Sequence, residues 1–272
     1  MLLKALPMFL ERQFVEKPWG RRDLPPEFGA PADRSIGEIW YTGSNQAALP
    51  LLVKWLFTSE KLSIQVHPSD ADAQVRGLPS GKEECWYIVD AEPGAVLGIG
   101  TKRALTADEL RDASLSGEIE QLVDWKAVSA GDFFYIPAGT VHAIGAGITL
   151  VEVQQSADIT YRLYDYGRPR ELYLEDGVAV AKPAPYAETC FGHVSGNQRL
   201  VSGPHFWLHH VTDAAAFAAI SEAGPYWLIP VSGSILLDER QLLCGDCAMA
   251  DSLDTVRFET GVSLLVAGIA AN

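Results

Sequence analysis

The chain has 272 residues, 48% hydrophobic and 21% charged, proportions that exclude a disordered or fibrous protein and suffice for one large or two modest domains. Its formal net charge of −14 repels phosphate backbones and anionic lipid, which excludes nucleic acid and membrane surfaces as partners. An anionic substrate would have to be received by specific cations against that field.

No apolar run approaches the roughly 20 residues that cross a bilayer. The opening MLLKALPMFL is broken by Lys4 and Pro7 and carries no small-residue cleavage site, so no signal peptide is expected. Cys85, Cys190, Cys244 and Cys247 are too scattered for a disulfide framework. These features predict a reducing, cytoplasmic setting.

Residues 1–50 are rich in proline and carry one predicted strand, GEIWYTG. From residue 51, short β-type runs follow one another: LLVKWLF, KLSIQVH, CWYIVD, AVLGIG, DFFYIP, HAIGAG and ITLVEVQ. Gly, Pro, Asp and Ser turns separate them, the pattern of an all-β barrel or sandwich. One stretch departs from it. TADELRDASLSGEIEQLVDW opens with Thr106 and Glu109 at capping-box spacing and predicts a short helical insertion over about 102–126. ADAQVRG predicts another short helix. Residues 167–195 read as a linker. A second, shorter β-rich unit then begins, with HFWLHHV, YWLIPVSGSILL, QLLCGDCAMA, VRFET and VSLLVAG. The predicted organisation is a first barrel over 1–180, and a linker with a smaller barrel over 181–272.

The chemistry concentrates in the first unit. Alternation along KLSIQVHP puts Ser63, Gln65 and His67 on one face and Ile64 and Val66 on the other. That polar face either meets solvent or lines a polar barrel interior. GKEECWYIV puts Lys82, Glu84 and Trp86 on one face. His142 follows the Pro137–Gly139 turn, and a hairpin near Ala146 would align it with Leu150, Glu152 and Gln154. Two imidazoles, a carboxylate and an amide oxygen make a divalent-metal set: Gln65, His67, Glu84 and His142. His193, His205, His209 and His210 read as structural, as does the lone CGDC.

The runs LPLLVKWLFTSEKLSIQVHP, GKEECWYI and IPAGTVHAIGAGITLVEVQQSADITYRLYDYGR, in this order, resemble the type I mannose-6-phosphate isomerase family. KPWG at 17–20 and GEIW at 37–40 add to the likeness, although KPWGRRDL lacks the second glycine often seen there. The resemblance implies two cupin (jelly-roll) barrels and one zinc ion per chain, with the four residues above as its ligands. It implies interconversion of mannose 6-phosphate and fructose 6-phosphate through an enediolate. It assigns Arg162 as the essential arginine, places Lys82 and Glu152 in the pocket, and puts Ser63, Lys54 and Arg168 around the phosphate. By position, Glu152 serves as general base or forms a buried salt bridge to Arg162. The compact insertion resembles the microbial form. The second barrel lacks the metal marks and reads as structural or dimer-forming, so a monomer or a homodimer is expected. The rival readings are a non-catalytic sugar-binding cupin with a structural metal, and an isomerase of another aldose, phosphorylated or free.

Overall fold

The computed structural model describes residues 7–259 and 261–271. The molecule is mostly β-sheet. A seven-stranded antiparallel sheet runs in the order Phe191–His193, Asp132–Ile136, Glu84–Ala91, Ile148–Gln155, Leu51–Phe57, Ile36–Thr42 and Glu11–Arg21. Facing it is a five-stranded sheet in the order Tyr161–Tyr164, Ile64–Val66, His142–Ile144, Val96–Thr101 and Val123–Ala127. Six- and three-stranded sheets make the second sandwich.

The layers follow from side-chain alternation. Along Glu84–Ala91, Trp86 and Ile88 pack with Leu97 and Ile99 of the five-stranded sheet. Their neighbours Cys85 and Tyr87 pack the other way, with Phe206, Leu208 and Ile229 of the six-stranded sheet. The seven-stranded sheet is therefore covered on both faces. This is why LLVKWLF and ITLVEVQQ, buried along their whole length, read as near-continuous apolar runs. Helices Ala107–Ser116 and Leu174–Val180 cover the outer face of the five-stranded sheet, contributing Leu110, Ala113, Val178 and Val180 to its packing.

The capping box is present: Thr106 N–H donates to Glu109 Oε2 at 2.7 Å, and Glu109 N–H donates to Thr106 Oγ1 at 3.2 Å. Helix Ile119–Leu122 follows, but the end of the expected insertion is a strand, Val123–Ala127. ADAQVRG forms helix Asp70–Val75, capped by Ser69. Among the described residues no helix is long and apolar enough to cross a membrane.

Two expectations are corrected. His142–Ile144 and Ile148–Gln155 do not form a hairpin. Gly145 N–H donates to Val96 and Gly147 N–H donates to Thr58, so the turn carries the chain from one sheet to the facing one. Two strands also cross the division expected near residue 180. Phe191–His193 extends the seven-stranded sheet, and Met8–Phe9 pairs with Ala248–Ala250 in the six-stranded sheet.

Trp55 sits at the centre of the layer between the sandwiches, 1% exposed and edge-on to Phe28 with ring centroids 4.8 Å apart. Trp55→Ala is expected to destabilise the protein by about 3–5 kcal/mol in denaturant unfolding. A loss below about 1 kcal/mol would show that this layer does not hold the two sandwiches together.

Candidate functional site

Strand register builds the site. Directly paired residues on antiparallel neighbours project to the same face. In the five-stranded sheet, Arg162 pairs with Gln65 and Gln65 pairs with His142, so these three form a row across adjacent strands. In the facing sheet a row runs Trp40, Lys54, Glu152, Trp86. One step along, Gln154 pairs with Glu84. The two rows project into the same interior from opposite walls. His142 and Glu152 thus meet across the sandwich rather than along a shared hairpin.

Deep in this interior, ligand atoms of His67, Glu84 and His142 lie within 4.8 Å of one another. Glu84 Oε2 is 3.4 Å from His67 Nε2, and Glu84 Oε1 is 3.4 Å from His142 Nε2. All three residues are at most 2% exposed. Both imidazoles are oriented from behind: Nδ1 of His67 is 2.7 Å from the Ile159 carbonyl, and Nδ1 of His142 is 2.9 Å from that of Thr140. A proton on each Nδ1 leaves each Nε2 lone pair aimed at Glu84. His67 Nε2 and Glu84 Oε1 are buried with no hydrogen-bond partner, and Glu84 Oε2 has the Lys82 ammonium 3.0 Å away.

Burial lowers the pKa of His67 to about 3, with Lys82 acting in the same sense. Burial also lowers His142. Burial alone would raise Glu84, but opposing charge, led by the Lys82 ammonium, outweighs it and holds the carboxyl well below its ordinary value. The group therefore consists of two neutral imidazoles and a carboxylate, the protonation states in which these side chains ligate metals.

Gln65 lies beside the group. Its Nε2 is 3.3 Å from His142 Nε2, and its Oε1 accepts from the Ser63 hydroxyl at 3.1 Å. A half-turn of the amide exchanges the two, and the Ser63 oxygen can accept as readily as donate.

A cavity of about 490 Å³ opens beside this group, with Gln65 and Lys82 among its lining residues. Lys82 Nζ is 3.0 Å from Glu84 Oε2. Ser63, Lys54, Glu152 and Arg162 also line the cavity. Lys54 is 3% exposed; its Nζ lies 3.0 Å from Glu152 Oε1 and 4.8 Å from the centre of the Trp40 ring. The other oxygen of Glu152 accepts from Trp86 Nε1 at 2.9 Å. The buried salt bridge of Glu152 is thus made with Lys54, not Arg162. Arg162 donates through Nη1 to the Glu171 carbonyl, while its Nε is buried without a partner. Burial, and then Arg170, lower its pKa.

Arg168 is the exception. It is not among the cavity-lining residues, because Asp165 Oδ1 at 2.7 Å and the Lys61 carbonyl at 2.8 Å hold its guanidinium. Arg170, two residues on and bound to the same Asp165, lines the cavity instead.

Lys17, Glu38, Asp158 and Tyr173 are further lining residues that the sequence reading did not single out. Glu38 accepts from Trp40 Nε1 at 2.6 Å and lies 3.4 Å from Lys17 Nζ. Burial would raise its pKa, but Lys54, Lys17 and the Trp40 bond outweigh burial and lower it. Two signals for these residues were available. KPWG and GEIW contain Lys17 and Glu38, and alternation places Glu38 on the same face as Trp40. Altogether the cavity wall carries five cations, Lys17, Lys54, Lys82, Arg162 and Arg170, against three carboxylates, Glu38, Glu152 and Asp158.

No protein-family model matches the chain. Individual relatives do. The chain is 35% identical to the mannose-6-phosphate isomerase of Streptococcus mutans, over 84% of this chain and 85% of that one. Its fold matches the crystal structure of the mannose 6-phosphate isomerase from Bacillus subtilis with a TM-score of 0.78 and 26% identity, over 97% of this chain and 100% of that one. A solved mannose 6-phosphate isomerase bound with zinc and yttrium shares the fold with a TM-score of 0.66 and 15% identity, over 98% and 100% of the two chains. With the buried His–Glu–His group, the charged cavity before it and this extent of likeness, the chain belongs to the mannose-6-phosphate isomerase family, whose members are aldose–ketose isomerases.

Proposed function

We propose that the chain interconverts mannose 6-phosphate and fructose 6-phosphate in this cavity, with one zinc ion held by Gln65, His67, Glu84 and His142. The observation that carries the metal assignment is the set of orphaned atoms. Glu84 Oε1 and His67 Nε2 are buried and unbonded, and Lys82 meets the other carboxylate oxygen; two imidazole lone pairs facing a buried carboxylate are costly unless a further cation sits among them. Two imidazoles, a carboxylate and an amide oxygen suit zinc. When bound, such a metal supplies Lewis-acid stabilisation of negative charge developing on the sugar oxygens.

The chain's own residues account for the rest. The reaction moves a proton between adjacent carbons, and the charge it develops must be met by fixed donors. Arg162 stands in register beside Gln65, with a buried Nε that makes no protein hydrogen bond. It is the donor proposed to meet that charge. Glu152 is the proposed base. Lys54 and Trp86 hold its two oxygens in place, so its position is set before substrate arrives. Lys82, an ammonium at the cavity wall beside Glu84, is the proposed proton donor to the ring oxygen.

For the phosphate, Ser63 and Arg170 are the proposed direct contacts. Lys54, on the same wall, acts through its ion pair with Glu152. Arg168 acts through Asp165, which it shares with Arg170.

Two sets of variants test this reading. Arg162→Lys keeps the charge and loses the planar fork. It is expected to lower kcat on mannose 6-phosphate by about two to three orders of magnitude, the usual cost of losing a donor to developing charge. A near-normal kcat would leave Arg162 as a loop anchor to Glu171.

Arg170→Ala removes a charge-assisted contact of about 1.5–3 kcal/mol and is expected to raise KM for mannose 6-phosphate by at least tenfold, with little change on free mannose. Arg168→Ala should have the smaller effect. An equal loss on both sugars would remove the phosphate role, and a wild-type preference for free mannose would overturn the substrate assignment.

A further inference from the structure

The cavity wall and the metal-holding group draw only on residues up to Tyr173. The second sandwich nonetheless reaches the back of the site, through the turn that precedes strand Phe206–Val211. His205 in this turn places Nδ1 3.6 Å from Asp70 Oδ2 and Nε2 4.0 Å from Glu83 Oε1, at the reach of an ion pair rather than of a hydrogen bond. The two carboxylates belong to different segments. Asp70 is the first residue of the helix that follows His67, and Glu83 immediately precedes Glu84.

Those segments are already laid against each other. Lys82 N–H donates to the Pro68 carbonyl at 3.0 Å. Asp70 Oδ1 accepts from Gly81 N–H at 2.7 Å and from Gln155 Nε2 at 3.0 Å. Gln155 Oε1 in turn accepts from Glu83 N–H at 2.9 Å, and the Tyr135 hydroxyl donates to the Glu83 carboxylate. The approach is too close for side chains at two points. A Cβ on Gly81 would lie 2.4 Å from the Ser69 carbonyl carbon, and one on Gly203 would lie 2.8 Å from the Tyr135 hydroxyl.

We infer that His205 is a positioning residue for the metal site: it spans the carboxylates of Asp70 and Glu83 and so holds together the two segments that present His67 and Glu84. The inference rests on the metal reading above. A site that retains its metal needs ligands held to within a fraction of an ångström by the groups behind them. Loosening one segment against the other weakens metal retention, while Arg162 and Arg170, which neither segment carries, stay in place on the cavity wall. A merely structural His205 would behave like Arg12, whose Nη2 pairs with Asp246 at 2.5 Å and joins the same two sandwiches without touching either ligand-bearing segment.

The test compares full-length wild type, His205→Ala, His205→Gln and Arg12→Ala. Zinc affinity is measured by competition with a metal-sensitive chelating dye, alongside Tm, kcat and KM. His205→Ala is expected to hold zinc about fivefold more weakly, at the low end of coupling between linked sites, with KM unchanged. His205→Gln reaches one carboxylate but not both and should fall between. Arg12→Ala should lower Tm at unchanged zinc affinity. Wild-type zinc affinity in His205→Ala, whatever its Tm, overturns the inference; if that variant does not fold, wild-type affinity in His205→Gln does so. Wild-type protein that takes up no zinc overturns the metal reading instead.

Discussion

An ionised carboxylate buried where water cannot reach it is the constraint on which the rest of the site depends. Glu84 is 1% exposed; its Oε1 has no hydrogen-bond donor, and its Oε2 meets only charge, from the Lys82 ammonium. Burial of this kind is tolerated only when opposite charge is close. Lys82 supplies part of that charge at 3.0 Å, and the neutral imidazoles of His67 and His142 close the other sides. Their backbone partners, Ile159 and Thr140, fix which nitrogen faces Glu84. The facing sheets bring these residues together, and the hydrophobic layers on both sides of the seven-stranded sheet keep the interior dry.

The same logic resolves a conflict of charge. A chain of net charge −14 repels an anionic sugar phosphate at long range. The cavity wall reverses the sign locally, with five cations against three carboxylates. Most of these groups are paired in ways that hold them in place rather than neutralise the wall: Lys54 with Glu152, Lys17 with Glu38, and Arg170 with Asp165. Low dielectric around buried pairs strengthens each interaction relative to the surface. The second sandwich contributes no lining residue, but it covers the back of the seven-stranded sheet and makes that dielectric possible.

Alternation made much of this legible in the sequence. The faces assigned to Gln65, Lys82, Glu84 and Trp86 followed from a period of two, which does not depend on knowing the fold. Where the reading went astray, the missing information was long-range. Gly145, Ala146 and Gly147 resemble a hairpin turn, yet their hydrogen bonds to Val96 and Thr58 carry the chain between sheets. Glu38 went unassigned although GEIWYTG reads as a strand, because only the pairing of that strand with Leu51–Phe57 turns its Glu38–Trp40 face toward the cavity. Pro18 is accommodated within Glu11–Arg21 because that strand is at a sheet edge, with a register shift between Glu16 and Arg21. Arg168 and Arg170 could not be told apart by residue type. Asp165 binds both, and the Lys61 carbonyl turns Arg168 away from the cavity.

The central claim is that burial of Glu84 as a carboxylate makes sense through a metal ion held between it and the two histidines. Elemental analysis of the purified protein, together with that of Glu84→Gln, tests it most directly. Glutamine keeps the size of the side chain and removes its charge. The account predicts close to one equivalent of divalent metal in the wild type, loss of that metal and of isomerase activity in Glu84→Gln, and a variant that still folds. Wild-type protein that is active with no metal bound, or Glu84→Gln that keeps both metal and activity, would contradict it.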